Sequence, residues 1–180
     1  MSITKVSDLK IENVFVSDIK KNKAGGEAAY LKYDGNNIIL QTDILNVISN
    51  QDNTVEFNCE NTTFLKLIIY FESLAEKAFG KEENSCTLRS TVSDNNSIKL
   101  IIIDGITKMF DSKKNSTDLL DNETKVQILV QPTGIWNKNQ EYGVSFRLLQ
   151  VKVLEKEETL EDYAFVDDEN DYYDVVPNDF

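Results

Sequence analysis

The chain has 180 residues, 31 Asp+Glu against 19 Lys+Arg, no His and a formal net charge of −12. Without His, Ser-His-Asp and Cys-His catalysis and His-ligated metal sites are excluded, and no apolar run reaches the roughly 18 residues that a membrane-spanning helix needs. Cys59 and Cys86 form no CxxC pair and the opening MSITKVSDLK has no signal-peptide core, so the chain reads as soluble and intracellular, with two reduced thiols, no cofactor and no enzymatic activity.

The charge is unevenly spread. Residues 155–180 hold eleven acidic groups and one Lys, leaving 18 basic and 20 acidic groups in residues 1–154. The expected organisation is therefore a near-neutral domain over 1–154 and a flexible acidic tail over 155–180 that ends in Phe.

In chain order, β-branched residues predict a strand around 10–17. Lys20-Lys21-Asn22-Lys23-Ala24-Gly25-Gly26 reads as a basic connector, able to reach phosphates or simply solvated. Residues 27–33 and the following IILQT flank Asp34-Gly35, a tight-turn signal, and predict a hairpin. On its first strand Tyr30 and Lys32 share one face, Leu31 and Tyr33 the other. TVEFN (54–58) predicts a strand. Phe64, Leu67, Ile68, Phe71, Leu74, Ala75 and Ala78 recur at three- and four-residue spacing, so a helix is expected over about 61–79, stopped by Gly80.

Residues 85–93 and 97–103 predict strands, and the nearly continuous apolar SIKLIII suggests burial on both faces. Residues 111–124 read as a polar loop in which Lys113 and Lys114 could touch phosphates. KVQILVQ (125–131) alternates, with Val126, Ile128 and Val130 on one face. Pro132-Thr133-Gly134 is expected to break that strand, leaving Trp136 at a polar hairpin tip. Residues 141–154 predict a long strand in which Gly143 marks a bulge or a close approach by another backbone. Short strands with one inserted helix suit a five-stranded Greek-key barrel of the oligonucleotide/oligosaccharide-binding (OB) type; other small barrels and an α+β sheet also fit.

Two stretches and the tail resemble the OB-fold single-stranded-DNA-binding proteins of phages and large DNA viruses. The stretches are Gly35-Asn36-Asn37-Ile38-Ile39-Leu40-Gln41-Thr42, and Val130-Gln131-Pro132-Thr133-Gly134-Ile135-Trp136 followed by Tyr142-Gly143-Val144-Ser145-Phe146-Arg147-Leu148-Leu149-Gln150-Val151. Pro177-Asn178-Asp179-Phe180 is similar to the tip of bacterial and phage single-strand-binder tails, with the Pro displaced. Asp43 departs from the pattern, which often has Pro after the Gln-Thr.

The resemblance implies sequence-independent binding of single-stranded DNA in replication, recombination or repair. Aromatics would stack on bases while Lys and Arg track phosphates. Trp136 is the leading stacking candidate, beside Lys138, with a core anchor as its alternative. Tyr142 and Phe146 are read as sharing a strand face with Lys152, and Arg147 as facing the other way. Both faces cannot line one groove; Tyr142 and Lys152 are favoured, and Arg147 is included because the family pattern carries it. Tyr30, Lys32, Lys20, Lys21 and Lys23 complete the expected groove, with Lys99 and Lys108 as further sources of positive charge. The tail residues Asp167, Asp168, Glu169, Asp171, Asp174, Asp179 and Phe180 are expected to compete for the groove and to recruit a polymerase, helicase or primase, in the host cytoplasm or a viral replication compartment. No membrane partner is implied, and a homo-oligomer is left open. The alternative is an acidic-tailed interaction or scaffold protein, histone-chaperone-like or a virion component, that binds no nucleic acid.

Overall fold

Two long neighbouring runs near the end of the body, 125–138 and 141–153, gather most of the other strands around them. The computed structural model describes residues 3–21, 25–80, 86–118 and 120–154. It is mainly β. The strands are β1 (Thr4–Lys5), β2 (Val14–Val16), β3 (Lys20–Lys21), β4 (Glu27–Ala29), β5 (Leu31–Tyr33), β6 (Asn36–Asn37), β7 (Leu40–Gln41), β8 (Leu45–Gln51) and β9 (Thr54–Asn58). After the helix α1 (Thr63–Phe79) come β10 (Thr87–Leu88), β11 (Ser97–Ile101), β12 (Lys108–Phe110), β13 (Lys125–Lys138) and β14 (Glu141–Val153).

β13 and β14 pair antiparallel from Val126 opposite Val153 to Lys138 opposite Glu141. The other edge of β13 takes β8 at Lys125 and Val126, β7 at Leu129 and Val130, and β4 at Ile135, Trp136 and Asn137. β10 and β12 lie parallel to β14. β9 continues from β8, and β11 from β9. A second sheet runs β2-β5-β6. Its hairpin turns at Asp34 and Gly35, both at positive φ (47° and 80°), the geometry that an Asp-Gly pair favours between strands.

The inner face of β13 and β14 builds the core. Val126, Ile128, Val130, Ile135, Val144, Leu148 and Val151 are all buried. The apolar stripe of α1, with Phe64, Ile68, Phe71 and Ala75 fully buried, closes over them. Phe146 fits between Phe64 and Phe71, its ring centroid 6.3 Å from each. The helix begins where Thr62 Oγ1 accepts from the Leu65 N–H at 3.1 Å. Asp43, the residue that departs from the family pattern, accepts from the Phe64 N–H at 3.1 Å. Two carboxyl or hydroxyl acceptors thus satisfy first-turn donors that the helix itself leaves open. Cys59 is buried and its thiol is pushed up to about 12 by desolvation, which leaves it chemically inert at neutral pH.

Several expectations are corrected. The 10–17 segment begins as a 3₁₀ turn over Ile11–Asn13, and only Val14–Val16 is strand. Lys20 and Lys21 are not loop but a short edge strand paired with β4. β11 is not buried on both faces: Lys99 and Ile101 are exposed, Ile101 at 64%. Pro132-Thr133-Gly134 does not break β13, which absorbs it as a register shift between Pro132 and Gly134. The hairpin tip is Asn139 and Gln140, at φ 54° and 63°, so Trp136 stands within the sheet opposite Gly143. Among the described residues no helix is long and apolar enough to cross a membrane.

Candidate nucleic-acid interface

Residues directly opposite in paired strands share a face, so the register defines what the outer side of β13 and β14 displays. Reading along the ribbon, Lys20, Ala28, Trp136 and Gly143 form one cross-strand row. Next come Gly134 with Ser145, then Gln131 with Arg147. Beyond a register shift lie Lys108, Gln150, Leu129 and Gln41 in one row, and Phe110, Lys152 and Gln127 in the last. These rows carry Lys20, Lys108, Arg147 and Lys152 and no Asp or Glu. The first carboxylate appears beyond the Trp136 row, where Glu141 faces Lys138; Glu141 is also 3.7 Å from Arg89.

The register shift decides which side chains belong here. Leu129 pairs with Gln150 but Val130 pairs with Leu148, so Leu149 is an extra residue on β14. Such a bulge reverses the alternation. Tyr142, Val144, Phe146 and Leu148 point inward before it, and Val151 does so after it. The expectation that Tyr142 and Phe146 share a face with Lys152 is therefore corrected: Lys152 shares the outer face with Arg147. Tyr142 is 5% exposed, and burial pushes its phenol pKa up, with Glu76 adding to the shift. Its hydroxyl reaches the end of α1, near Gly80. Neither Tyr142 nor Phe146 is available to a ligand on the outer face.

A groove of about 360 Å³ opens at the Trp136 end, lined by Lys20, Lys21, Tyr30, Thr133, Gly134, Trp136 and Ser145. Small residues make the space. A Cβ at Gly134 would run into the Ala29 carbonyl oxygen, so Gly is what lets β4 and β13 approach. A Cβ at Gly143 would sit 2.8 Å from the Arg89 carbonyl and 3.1 Å from the Trp136 indole. The indole thus lies against the Gly143 backbone, half-buried, with its remaining surface on the groove. Gly143 marks the close backbone approach that its place in a strand implies.

Tyr30 lines the same groove and is 61% exposed. Its backbone is fixed by Ser17: the Tyr30 N–H donates to Ser17 Oγ at 2.9 Å, and the Ser17 N–H donates to the Tyr30 carbonyl at 2.9 Å. Lys32 Nζ stands 5.7 Å from the Tyr30 ring centroid, within cation–π range, and donates to Asn37 Oδ1 at 2.6 Å. Phe15 lies opposite Lys32 and is 48% exposed. This corner offers two exposed aromatic rings and a cation.

Of the residues singled out in the sequence, Trp136, Tyr30, Lys20 and Lys21 meet around one groove, with Lys32 beside it. Arg147 and Lys152 lie farther along the same face. Lys138 is exposed at the hairpin end. Lys99 is elsewhere, on β11, 3.4 Å from Glu56. Lys23 and the tail residues Asp167, Asp168, Glu169, Asp171, Asp174, Asp179 and Phe180 lie outside the described residues. Phe15 and Phe110 escaped sequence reasoning. The exposed position of Phe15, in a run of alternating apolar residues, was the one signal that could have found it.

Three solved structures of the single-stranded DNA-binding protein from bacteriophage Enc34 overlap the chain. A C-terminal truncation gives a TM-score of 0.43 at 10% identity, covering 83% of this chain and 99% of the other. The untruncated protein gives 0.43 at 8% identity, with 85% and 96% covered. The form in complex with ssDNA gives 0.39 at 10% identity, with 83% and 99% covered. A likeness this distant assigns neither fold nor function. No curated protein matches the sequence. Residues 30–167 match the family described as a family of unknown function, DUF5871, and with that match spanning most of its length, the chain belongs to that family.

Proposed function

We propose that this protein binds single-stranded DNA on the outer face of β13 and β14, through an OB-like body over 1–154, and breaks no bond. One observation carries the reading. Trp136, Tyr30 and Lys20 meet around a single groove with Lys21, whose cross-strand partner is Glu27, and the rows from Gly134 to Lys152 along that face hold Arg147, Lys108 and Lys152 but no carboxylate. Stacking planes beside phosphate counter-charges are what sequence-tolerant single-strand binding requires. The sequence resemblance of the β13–β14 hairpin to viral and phage single-strand binders supports it, and points to replication, recombination or repair.

The acidic segment 155–180 then acts as a tethered competitor. Its eleven carboxylates and single Lys resemble a polyanion tethered at high effective concentration to the Lys152 end of the same face. DNA displaces it and frees Phe180 for a replication partner, in the compartment where the protein is made.

The test is a poly(dT) titration followed by Trp136 fluorescence at two salt concentrations, on the full chain and on a chain lacking 155–180. Stacking quenches the Trp, and Trp136→Ala, followed by the anisotropy of labelled poly(dT) because it removes the chain's single Trp, weakens binding by about 1–3 kcal/mol. Removing the tail tightens binding, most at low salt. Affinity unchanged by the truncation at low salt sinks the competition idea and leaves the groove standing. No quenching and no binding sinks the groove, and favours an acidic-tailed scaffold whose one support is the charge of the tail.

A further inference from the structure

We infer that the opposite end of the same face holds a second, base-reading subsite, framed by Gln41, Gln127, Leu129, Gln150 and Lys152. This rests on reading the outer face as a single-strand path. A separate depression of about 210 Å³ lies there, lined by these five residues and the buried Ile128. Gln41, Leu129 and Gln150 occupy one cross-strand row, and Gln127 faces Lys152 in the next. Three primary amides thus surround one apolar side chain. The Gln127 amide has only a long 3.5 Å contact to the Thr42 carbonyl, so it can turn to a ligand at little cost.

The chemistry differs from that of the Trp136 groove. Indole and phenol planes accept any base face. A primary amide presents a donor pair and an acceptor side by side, and so matches the polar edge of a base rather than its plane. Leu129 supplies the apolar contact beneath. Lys152 and Lys108, the latter opposite Gln150, supply counter-charge for a phosphate on either side, and Phe110, opposite Lys152, closes the end of the path. The first subsite would hold the strand, and the second would prefer some bases over others.

The two subsites are nine β14 residues apart, Gly143 to Lys152, or roughly 30 Å along a strand. A stacked single strand advances roughly 3.4 Å per nucleotide, so a span of at most about nine nucleotides is needed to reach both, and fewer if the strand is extended.

The experiment is a length series of oligo(dT), oligo(dC) and oligo(dA), from about three to about twelve nucleotides, titrated against the full chain and read by Trp136 fluorescence. Two variants run beside it, Gln150→Leu and Lys152→Ala. The wild type gains about tenfold in affinity once the strand is long enough to reach the second subsite, the size expected for one more bound base, and the three homopolymers separate beyond that length. Gln150→Leu loses the separation, and Lys152→Ala loses most of the gain. A length-dependent rise that persists undiminished in both variants overturns the subsite, as does equal binding of all three homopolymers at every length. Absence of quenching by any oligonucleotide overturns the single-strand reading itself, and is distinguishable because the wild type then shows no length series at all.

Discussion

The two faces of the β13–β14 ribbon are built from the same 27 residues of strand and serve opposite ends. The inner face is apolar, largely buried and closed by α1, with Tyr142 and Phe146 among its aliphatic side chains. The outer face has glycines, amides, cations and one indole. The difference teaches that the ribbon is specified twice, once by burial and once by what burial leaves over. Substitutions on the inner side should report on folding, and those on the outer side on binding.

The sharpest way to break that division is on the inside. Ile128→Ala removes a 1% exposed side chain and should cost about 2–5 kcal/mol, measured as a lower urea midpoint with unchanged slope. A cost under about 1 kcal/mol would mean that the core does not close over β13 as described. Next is Gly143→Ala, where the two faces touch. Its new methyl meets the Arg89 carbonyl and the Trp136 ring. It should destabilise by about 1–3 kcal/mol, as overpacking does, and shift the Trp136 emission maximum, because the indole must move toward solvent. An unshifted emission would show that the indole does not rest on Gly143. The smallest effect is on the outside. Arg147→Ala should leave thermal stability nearly unaltered and lower the slope of log K against log salt by about 0.7, one phosphate contact on a single strand. An unchanged slope would take Arg147 off the DNA path.

Much of this was legible in the residues. Asp34-Gly35 announced its hairpin, TVEFN its strand, and the three-four spacing from Phe64 to Ala78 its helix, because each signal is local. So was the shared side of Tyr30 and Lys32, two residues apart, although strand pairing breaks at Tyr30 between β4 and β5. What could not be read depends on partners. Lys20 and Lys21 form a strand only because β4 lies beside them. SIKLIII looks buried by composition, yet its place at the end of the β9 pairing exposes Ile101. Trp136 looked like a loop tip because Pro132-Thr133-Gly134 carries turn chemistry, but the pairing with β14 and β4 carries the strand straight through. Lys152 was set on one face with Tyr142 and Phe146 because alternation was counted without the extra residue at Leu149.

That extra residue gives the ribbon a phase. Upstream of Leu149 the even-numbered positions of β14 are packed, and downstream the odd-numbered ones are. Deleting Leu149 would close the bulge without flipping the strand: Leu148 and Gln150 would become consecutive in plain alternation, leaving Val151 inward and Lys152 outward. The molecule should therefore tolerate the loss of Leu149 better than an added residue elsewhere in β14, which would set inward and outward positions one out of step.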